Sequence, residues 1–195
     1  MVIVWGLSCF SGAALAYDMI ECGRVHKKFM FLREIDMAKI FLICGKICSG
    51  KTTYAKSLIK TIPAVLLSND EITYILFGSH GGKEHGVVSE RTQRYLFQKS
   101  LEIIESGINV VLEWGFITRA ERLEVSEFYK QNNIEYEWHY IDTPDDVLLE
   151  RLGKRNQDIA DGKSTAHYFD YDFAKQLWDI FEIPAEEDMT IWVKN

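Results

Sequence analysis

The chain is poor in features that mark secreted, membrane-spanning or nucleic-acid-coating proteins. Its 195 residues include only four cysteines, which show no paired metal-ligand spacing, and this favours a reduced cytoplasmic setting over a disulfide framework. The formal net charge of −7 and the lack of a basic stripe argue against a general affinity for nucleic acid or an anionic membrane. No internal repeat or low-complexity linker is visible. The length and the 47% hydrophobic content predict one domain with a substantial core.

Residues 1–36 differ from the rest and are predicted to form an N-terminal extension. The apolar run from Met1 to Ala16 ends in a small-x-small pattern that resembles a secretory cleavage site. No Lys or Arg precedes the run, and it is too short to span a bilayer comfortably. A mis-assigned start or an extra extension is the favoured interpretation, ahead of a poorly packed appendage and a real export signal. The domain proper is expected to be 37–195.

One segment has the pattern of a phosphate-binding loop. From Gly45 to Thr52 the sequence is G-K-I-C-S-G-K-T, which satisfies G-x-x-x-x-G-K-[ST]. A short apolar strand is predicted before it, at 40–44, and a helix after it, at 52–60. The alternative is a Gly-rich strand–helix turn without function. The residues expected to hold a nucleotide are Gly45, Lys46, Ile47, Cys48, Ser49, Gly50, Lys51, Thr52 and Thr53.

The loop has a defined chemistry. Its glycines let successive backbone N–H groups point at phosphate oxygens, and the helix that follows aims its positive end at the same anion. Lys51 is expected to reach the β- and γ-phosphates of ATP, and the Thr52 hydroxyl to ligate Mg²⁺.

After Met37 the pattern alternates between strands and helices, which predicts an α/β fold. Short apolar runs are predicted as strands, and each is separated from the next by a helical pattern. Strands joined through helices imply right-handed crossovers and a parallel sheet covered on both faces. The predicted strands are 40–44, 64–67, 109–113, 136–141 and 190–193. The predicted helices are 52–60, 71–77, 88–106, 119–132, 144–155, with Pro144 at its first position, and 171–181.

Two acids follow predicted strands. Glu113 ends the third strand, where a carboxylate can serve the Mg²⁺ shell, although it could also merely cap the following turn. Asp70 follows the second strand in the string S-N-D-E and is the candidate base for a substrate hydroxyl. The same string is a common helix N-cap, so Asp70 could do no more than start a helix.

Arginines mark a candidate lid. Arg151 and Arg155 are four residues apart on one helix face, before the polar stretch 156–165, and a lid is predicted around 153–168. Guanidinium groups there could neutralise charge on a transferred phosphoryl group, although surface arginines are usually solvated ion-pair partners. Arg119 and Arg122 could instead reach the acceptor site.

Other conspicuous side chains are given structural interpretations. His80 and His85 lie in a Gly-rich stretch with an incomplete metal-ligand set, which favours a flexible surface loop. Trp138, Tyr140, Trp178 and Trp192 are expected in the core rather than on a base-stacking surface.

These motifs resemble the small ATP-binding kinases of the AAA-type group that includes zeta toxins, chloramphenicol phosphotransferases and polynucleotide kinases. The similarity covers about 37–193 and includes the phosphate loop, S-N-D-E, V-V-L-E-W-G-F, T-P-D-D-V-L-L-E-R-L-G-K-R and F-E-I-P-A-E-E-D. The resemblance implies a P-loop nucleoside-triphosphate hydrolase (kinase-like) fold with strand order 2-3-1-4-5 and transfer of the ATP γ-phosphate to a hydroxyl. It also implies that Asp70 is the acceptor base and that Arg151 or Arg155 belongs to the lid. The chain departs from the pattern at Glu113, where Asp is usual.

The function expected from the sequence is an ATP- and Mg²⁺-dependent kinase with a small-molecule hydroxyl acceptor, acting in the cytoplasm without a membrane partner. A nucleotide-binding module or slow NTPase is the alternative from another class. A polynucleotide kinase is disfavoured by the charge. The acceptor itself is not revealed by any motif.

Overall fold

The computed structural model describes residues 37–78 and 84–195, together with two short strands before them. It divides the chain into two compact units, Met1–Met37 and Ala38–Asn195. In the first unit, Ile20–Glu21 pairs antiparallel with Arg24–Val25. The rest of the extension, with the interpretations of 1–36, and His80 lie outside the described residues.

The second unit is built on a five-stranded parallel sheet. Counted from Ala38, its strands are β1 (Ile40–Cys44), β2 (Ala64–Ser68), β3 (Asn109–Glu113), β4 (Tyr136–Asp142) and β5 (Ile191–Lys194). Their spatial order is β2-β3-β1-β4-β5, and every neighbouring pair is parallel. The predicted parallel sheet and the order 2-3-1-4-5 are therefore confirmed.

Both faces of the sheet are covered, as the side chains of β1 demonstrate. Ile40, Leu42 and Cys44 belong to one buried cluster, whereas Phe41 and Ile43 belong to another. Successive residues of a strand point to opposite faces, so a fully apolar strand needs helices on both sides. The helices are α1 (Lys51–Thr61), α2 (Asn69–Phe77), α3 (His85–Glu105), α4 (Arg119–Gln131), α5 (Asp145–Ala160) and α6 (Tyr171–Asp179).

The aromatic residues behave as predicted. Trp138, Tyr140 and Trp178 are buried, and Trp192 packs against the same cluster as Tyr140. Across the part of the chain that the structure describes, no helix is long and apolar enough to cross a membrane.

Helix α5 is longer than the sequence pattern predicts. It runs to Ala160 instead of ending near Arg155, because residues 156–160 (Asn, Gln, Asp, Ile and Ala) contain neither Gly nor Pro to interrupt the helix. The helix ends where Gly162 adopts φ of 70° and its N–H donates to the carbonyl of Ile159. Much of the stretch predicted as a polar flap is therefore helical, and the non-helical part is confined to 161–170, which we call the closing segment.

Candidate active site

The phosphate-binding loop joins β1 to α1 in a conformation that few residues tolerate. Cys48 has φ of 65° and Gly50 has φ of 102°, and such left-handed residues let successive N–H groups face a common centre. At Gly45, a Cβ atom would approach the carbonyl oxygen of Ile141 and the hydroxyl of Ser49 to 2.8 Å. Glycine is therefore required at the start of the loop by close packing against β4.

Lys51 occupies the centre of the loop. Its ammonium donates to the carbonyls of Gly45 and Lys46, at 3.0 and 2.9 Å, and the residue is only 8% exposed. A buried lysine held by loop carbonyls is a preplaced positive charge at the N-terminus of α1, where an anion is also favoured by the helix dipole.

The peptide between Ser49 and Gly50 is fixed by three donors on one carbonyl. The Ser49 oxygen accepts from Arg151 Nη1 at 3.0 Å, from Thr143 Oγ1 at 2.9 Å and from Asn195 Nδ2 at 2.8 Å. Because a peptide unit is planar, fixing this carbonyl also fixes the direction of the Gly50 N–H. Three distant segments thus set the orientation of one loop amide.

Glu113 lies beside the loop at the carboxyl end of β3. Its carboxylate accepts from Thr52 Oγ1 at 3.1 Å and from Ser68 Oγ at 3.0 Å, and the residue is 1% exposed. Burial raises the pKa of Glu113, and the Asp70 carboxylate adds to the rise, whereas the Lys51 ammonium opposes it. The acid is therefore bound to the loop threonine rather than to the turn that follows it.

Ser68, not Asp70, caps helix α2. The Ser68 hydroxyl accepts from the N–H of Glu71 at 3.3 Å, so the capping alternative for Asp70 does not describe its side chain. Asp70 is exposed, and within the described residues its carboxylate takes part in no hydrogen bond or ion pair. A carboxylate without a protein partner at the carboxyl ends of the strands is available to a ligand.

Arg151 and Arg155, the two arginines of α5 predicted to belong to a lid, make different contacts near the cleft. Arg151 contacts the loop through the Ser49 carbonyl. Arg155 donates from Nε to the carbonyl of His167 at 3.1 Å and places its guanidinium 5.1 Å above the Phe169 ring. Both belong to α5, so the helix aligns two cations on one side of the site.

Arg119 and Arg122 are placed elsewhere. Arg122 is buried and donates to the backbone carbonyls of Phe116, Ile117 and Glu182. Arg119 is largely exposed and lies 3.9 Å from the Asp188 carboxylate. Neither lines the cleft described next, so the idea that they reach an acceptor there is not supported by their positions.

A cleft of about 470 Å³ brings the candidate residues together. Three loop residues, Gly45, Lys46 and Ser49, do not line it; Lys46 instead forms an ion pair with Asp145 at 2.6 Å. Sequence reasoning missed two lining residues because no local pattern distinguishes them from other polar or aromatic positions. The cleft is lined by Ile47, Cys48, Gly50, Lys51, Thr52, Thr53, Asp70, Glu113, Arg151, Arg155 and the two that were missed, Phe169 and Asn195.

The donor set in the cleft suits a hard cation. Thr52 and Glu113 offer hydroxyl and carboxylate oxygens next to the phosphate-binding loop, and Mg²⁺ prefers oxygen ligands shared with substrate phosphates. Over the ranges 37–78 and 84–195, no group of three or more His, Cys, Asp or Glu side chains could hold a metal. Mg²⁺ held by Thr52 and Glu113 would take its other ligands from substrate phosphates and water.

The prediction of a loop conformation for His85 is wrong. This residue opens helix α3, and its ring packs edge-on against the His167 ring, 5.0 Å between centroids. The helix begins three residues before the predicted start because packing against α2 and the closing segment supports a first turn that contains Gly86.

The fold and the cleft define a P-loop nucleotide-binding protein with the architecture of the small kinases. Residues 40–168 match the sequence model of the AAA_33 family, described as an AAA domain. This match spans more than half of the chain, so the protein belongs to that family. No curated protein sequence matches the chain.

Solved structures of kinases share the fold at low sequence identity. A candidate kinase from Chloroflexus aurantiacus has a TM-score of 0.62 at 18% identity, covering 82% of this chain and 85% of that one. The Mycobacterium tuberculosis APS kinase in complex with AMPPNP and APS has a TM-score of 0.55 at 18% identity. The match covers 81% of this chain and 88% of that one. A gluconokinase from Sinorhizobium meliloti has a TM-score of 0.56 at 15% identity, and the match covers 81% of this chain and 83% of that one. The suspected resemblance to small P-loop kinases is confirmed.

The two described cysteines are expected to differ in reactivity. Burial raises the pKa of the Cys44 thiol to about 12, whereas Cys48 is partly exposed and lines the cleft. Brief alkylation should therefore label Cys48 and leave Cys44 unmodified, and Mg-ATP should slow the labelling by covering the loop. Mass-spectrometric peptide mapping with and without Mg-ATP measures both effects. Labelling of Cys48 that is indifferent to ATP would contradict the position of the nucleotide.

Proposed function

We propose that the protein is an ATP-dependent kinase that transfers the γ-phosphate of ATP to a hydroxyl of a small molecule. The observation that carries the proposal is the carboxylate of Asp70. It forms no hydrogen bond or ion pair with any described residue, and it lines the same cleft as Lys51 of the phosphate-binding loop. A switch or binding module needs the phosphate-binding loop, but it does not need a carboxylate beside the loop that is available to accept a proton. The kinase structures that share the fold support the same activity class.

In this proposal Asp70 is the general base. A hydroxyl of the acceptor donates a hydrogen bond to the Asp70 carboxylate and loses its proton to it as the oxygen bonds to the γ-phosphorus. The bond between that phosphorus and the β–γ bridging oxygen breaks, and ADP leaves. Asp70 has no hydrogen bond or ion pair to a described residue that must break first.

The remaining residues stabilise charge. Lys51 neutralises the β- and γ-phosphates, and Arg151 and Arg155 face the transferred group from α5. Thr52 and Glu113 would hold Mg²⁺. Bound magnesium would offset negative charge on the phosphate oxygens.

A screen for acceptors tests the proposal. The full chain is incubated with Mg-ATP and a panel of sugars, nucleosides and hydroxyl-bearing antibiotics, and release of ADP is compared with the rate without acceptor. Stimulation by one class, with a phosphorylated product detected by mass spectrometry, is expected for a kinase. Slow ADP release that no acceptor changes would instead indicate the alternative, a slow NTPase or nucleotide-binding module.

We also propose that residues 37–195 are the catalytic domain, acting in the cytoplasm where ATP is available. A chain that begins at Met37 is expected to fold and to bind Mg-ATP as tightly as the full chain, because the compact unit from Ala38 contains all five strands of the parallel sheet and the cleft. Thermal unfolding and ATP titration of both chains measure this. A melting temperature lowered by several degrees would show that the extension packs on the domain.

A further inference from the structure

We propose that His167 is a positioning residue that joins the helix carrying Asp70 to the helix carrying Arg155. Its side chain bonds to α2 and its backbone carbonyl bonds to α5. His167 lies in the closing segment, so both bonds also hold in place the segment whose Phe169 lines the cleft. The catalytic consequence rests on the proposed function, whereas the mechanical role does not.

The contact with α2 is buried and directional. His167 Nε2 lies 3.0 Å from Thr73 Oγ1, and the two residues are 4% and 0% exposed. The Thr73 hydroxyl donates to the carbonyl of Asn69 at 2.9 Å, so its oxygen is left to accept from His167. Burial lowers the pKa of His167, which leaves the ring neutral near pH 7 with one N–H to donate. Asp70 is one helical turn before Thr73, so this bond anchors the turn that holds the base.

The contact with α5 comes from two consecutive residues. Arg155 Nε donates to the His167 carbonyl, and Asn156 Nδ2 donates to the Phe169 carbonyl at 2.6 Å. The Arg155 guanidinium also lies over the Phe169 ring, and both residues line the cleft with Asp70. Movement of the segment away from α2 would therefore take Arg155 and Phe169 away from Asp70.

The junction is tightly packed but incompletely hydrogen-bonded. The His167 ring packs edge-on against Tyr74 of α2 and His85 of α3, with centroids 5.8 and 5.0 Å apart. On the same two helices, Asn69 Oδ1 and His85 Nε2 are buried and have no hydrogen-bond partner among the residues that the structure describes. Unsatisfied buried groups lower the stability of this junction, so the loss of one of its remaining hydrogen bonds is expected to have a measurable effect. A segment that opens to admit an acceptor and release product needs such a balance.

The mechanical role is tested in the full chain by hydrogen–deuterium exchange with Mg²⁺ and AMPPNP present. His167→Phe keeps a planar ring and Thr73→Val keeps the shape, but each removes the hydrogen bond. Either is expected to raise exchange in 164–170 and in the first turn of α2 by roughly three- to tenfold, the worth of one hydrogen bond. The double variant should exchange no faster than either single variant, because both substitutions remove the same hydrogen bond. Additive effects, or unchanged exchange, would overturn the proposal.

Matched variants distinguish the loss of the hydrogen bond between His167 and Thr73 from a general loss of stability. His167→Gln and Thr73→Ser keep a donor and a hydroxyl, and are expected to restore most of the protection. His139→Gln is the control for loss of a buried histidine, because His139 lies on β4 and bonds to Tyr54 at 2.9 Å, away from the cleft lining. It should leave exchange in 164–170 unchanged. If His167→Phe fails to fold, the pair Thr73→Val and Thr73→Ser still decides the result.

The catalytic consequence is measured separately. In the variants that lose the bond, kcat for ATP turnover with acceptor should fall roughly tenfold while KM for ATP stays within about twofold, because the loop and Lys51 are untouched. Equal changes in kcat and KM would point to a structural defect and contradict positioning. Absence of turnover in the unchanged protein, with the exchange results as expected, would reject the kinase and leave the mechanical role standing.

Discussion

Replacing Lys51 with alanine is expected to weaken Mg-ATP binding by roughly 100-fold or more, the cost of removing one partner of a buried charge pair. The ammonium is buried at the centre of the phosphate-binding loop and bonds to two of its carbonyls. Among the described residues that line the cleft, only Arg151 and Arg155 carry further positive charge, and both come from α5. Isothermal titration with Mg-ATP and with Mg-AMPPNP measures the loss.

The matched control is Lys56→Ala, which removes the same charge from an exposed position on the same helix. It should leave binding within about twofold, since charges at the surface are screened. Circular dichroism and thermal unfolding must show that Lys51→Ala remains folded, because the lysine also supports the loop. Tight Mg-ATP binding by a folded Lys51→Ala protein would contradict the assignment of the nucleotide site.

Asp70→Asn is expected to reduce phosphoryl transfer at least ~100-fold while Mg-ATP binding is nearly unchanged, as for loss of a general base. The substitution keeps the shape and removes the basic carboxylate. Because Ser68 supplies the N-cap of α2, stability should change by less than about 1 kcal/mol, the size of a helix-dipole effect. Single-turnover measurements with saturating ATP, together with ATP titration, separate the two effects.

The control for Asp70 is its neighbour. Glu71→Gln removes the same charge from an exposed residue that does not line the cleft, and it should leave turnover unchanged. A loss of binding equal to the loss of turnover in Asp70→Asn would mean that the acid serves the nucleotide. An unfolded variant would mean that its structural role in the first turn of α2 is larger than the Ser68 cap indicates.

Features formed by adjacent residues, such as the phosphate-binding loop and the strands, can be predicted because the residues that determine them are neighbours in the sequence. The phosphate-binding loop is a run of eight residues, and the constraint that packing imposes on Gly45 appears directly in the motif. The parallel sheet follows from apolar runs such as Ile40–Cys44 separated by helical patterns. The strand order is predicted only by the family resemblance, because the residues of a strand do not reveal which other strand lies next to it in the sheet.

Boundaries were less predictable where polar residues can be either helix or loop. The four residues between Arg155 and Ala160 are compatible with both, and the backbone of Gly162, two residues further on, ends the helix. The glycines that precede and follow His85 favour a loop there, yet contacts with α2 and with His167 stabilise a helix. Tertiary packing overrode local propensity in both places.

The sequence by itself determined that a nucleotide-binding loop lies between a buried strand and a helix, because eight adjacent residues suffice to orient backbone N–H groups toward an anion. Tertiary structure decided which other side chains join that loop. Thr143, Arg151 and Asn195 meet on the Ser49 carbonyl from positions 94, 102 and 146 residues away, and the carboxyl ends of parallel strands bring Asp70 and Glu113 to the same cleft. Such convergence depends on the strand order and the helix packing, which are properties of the whole chain.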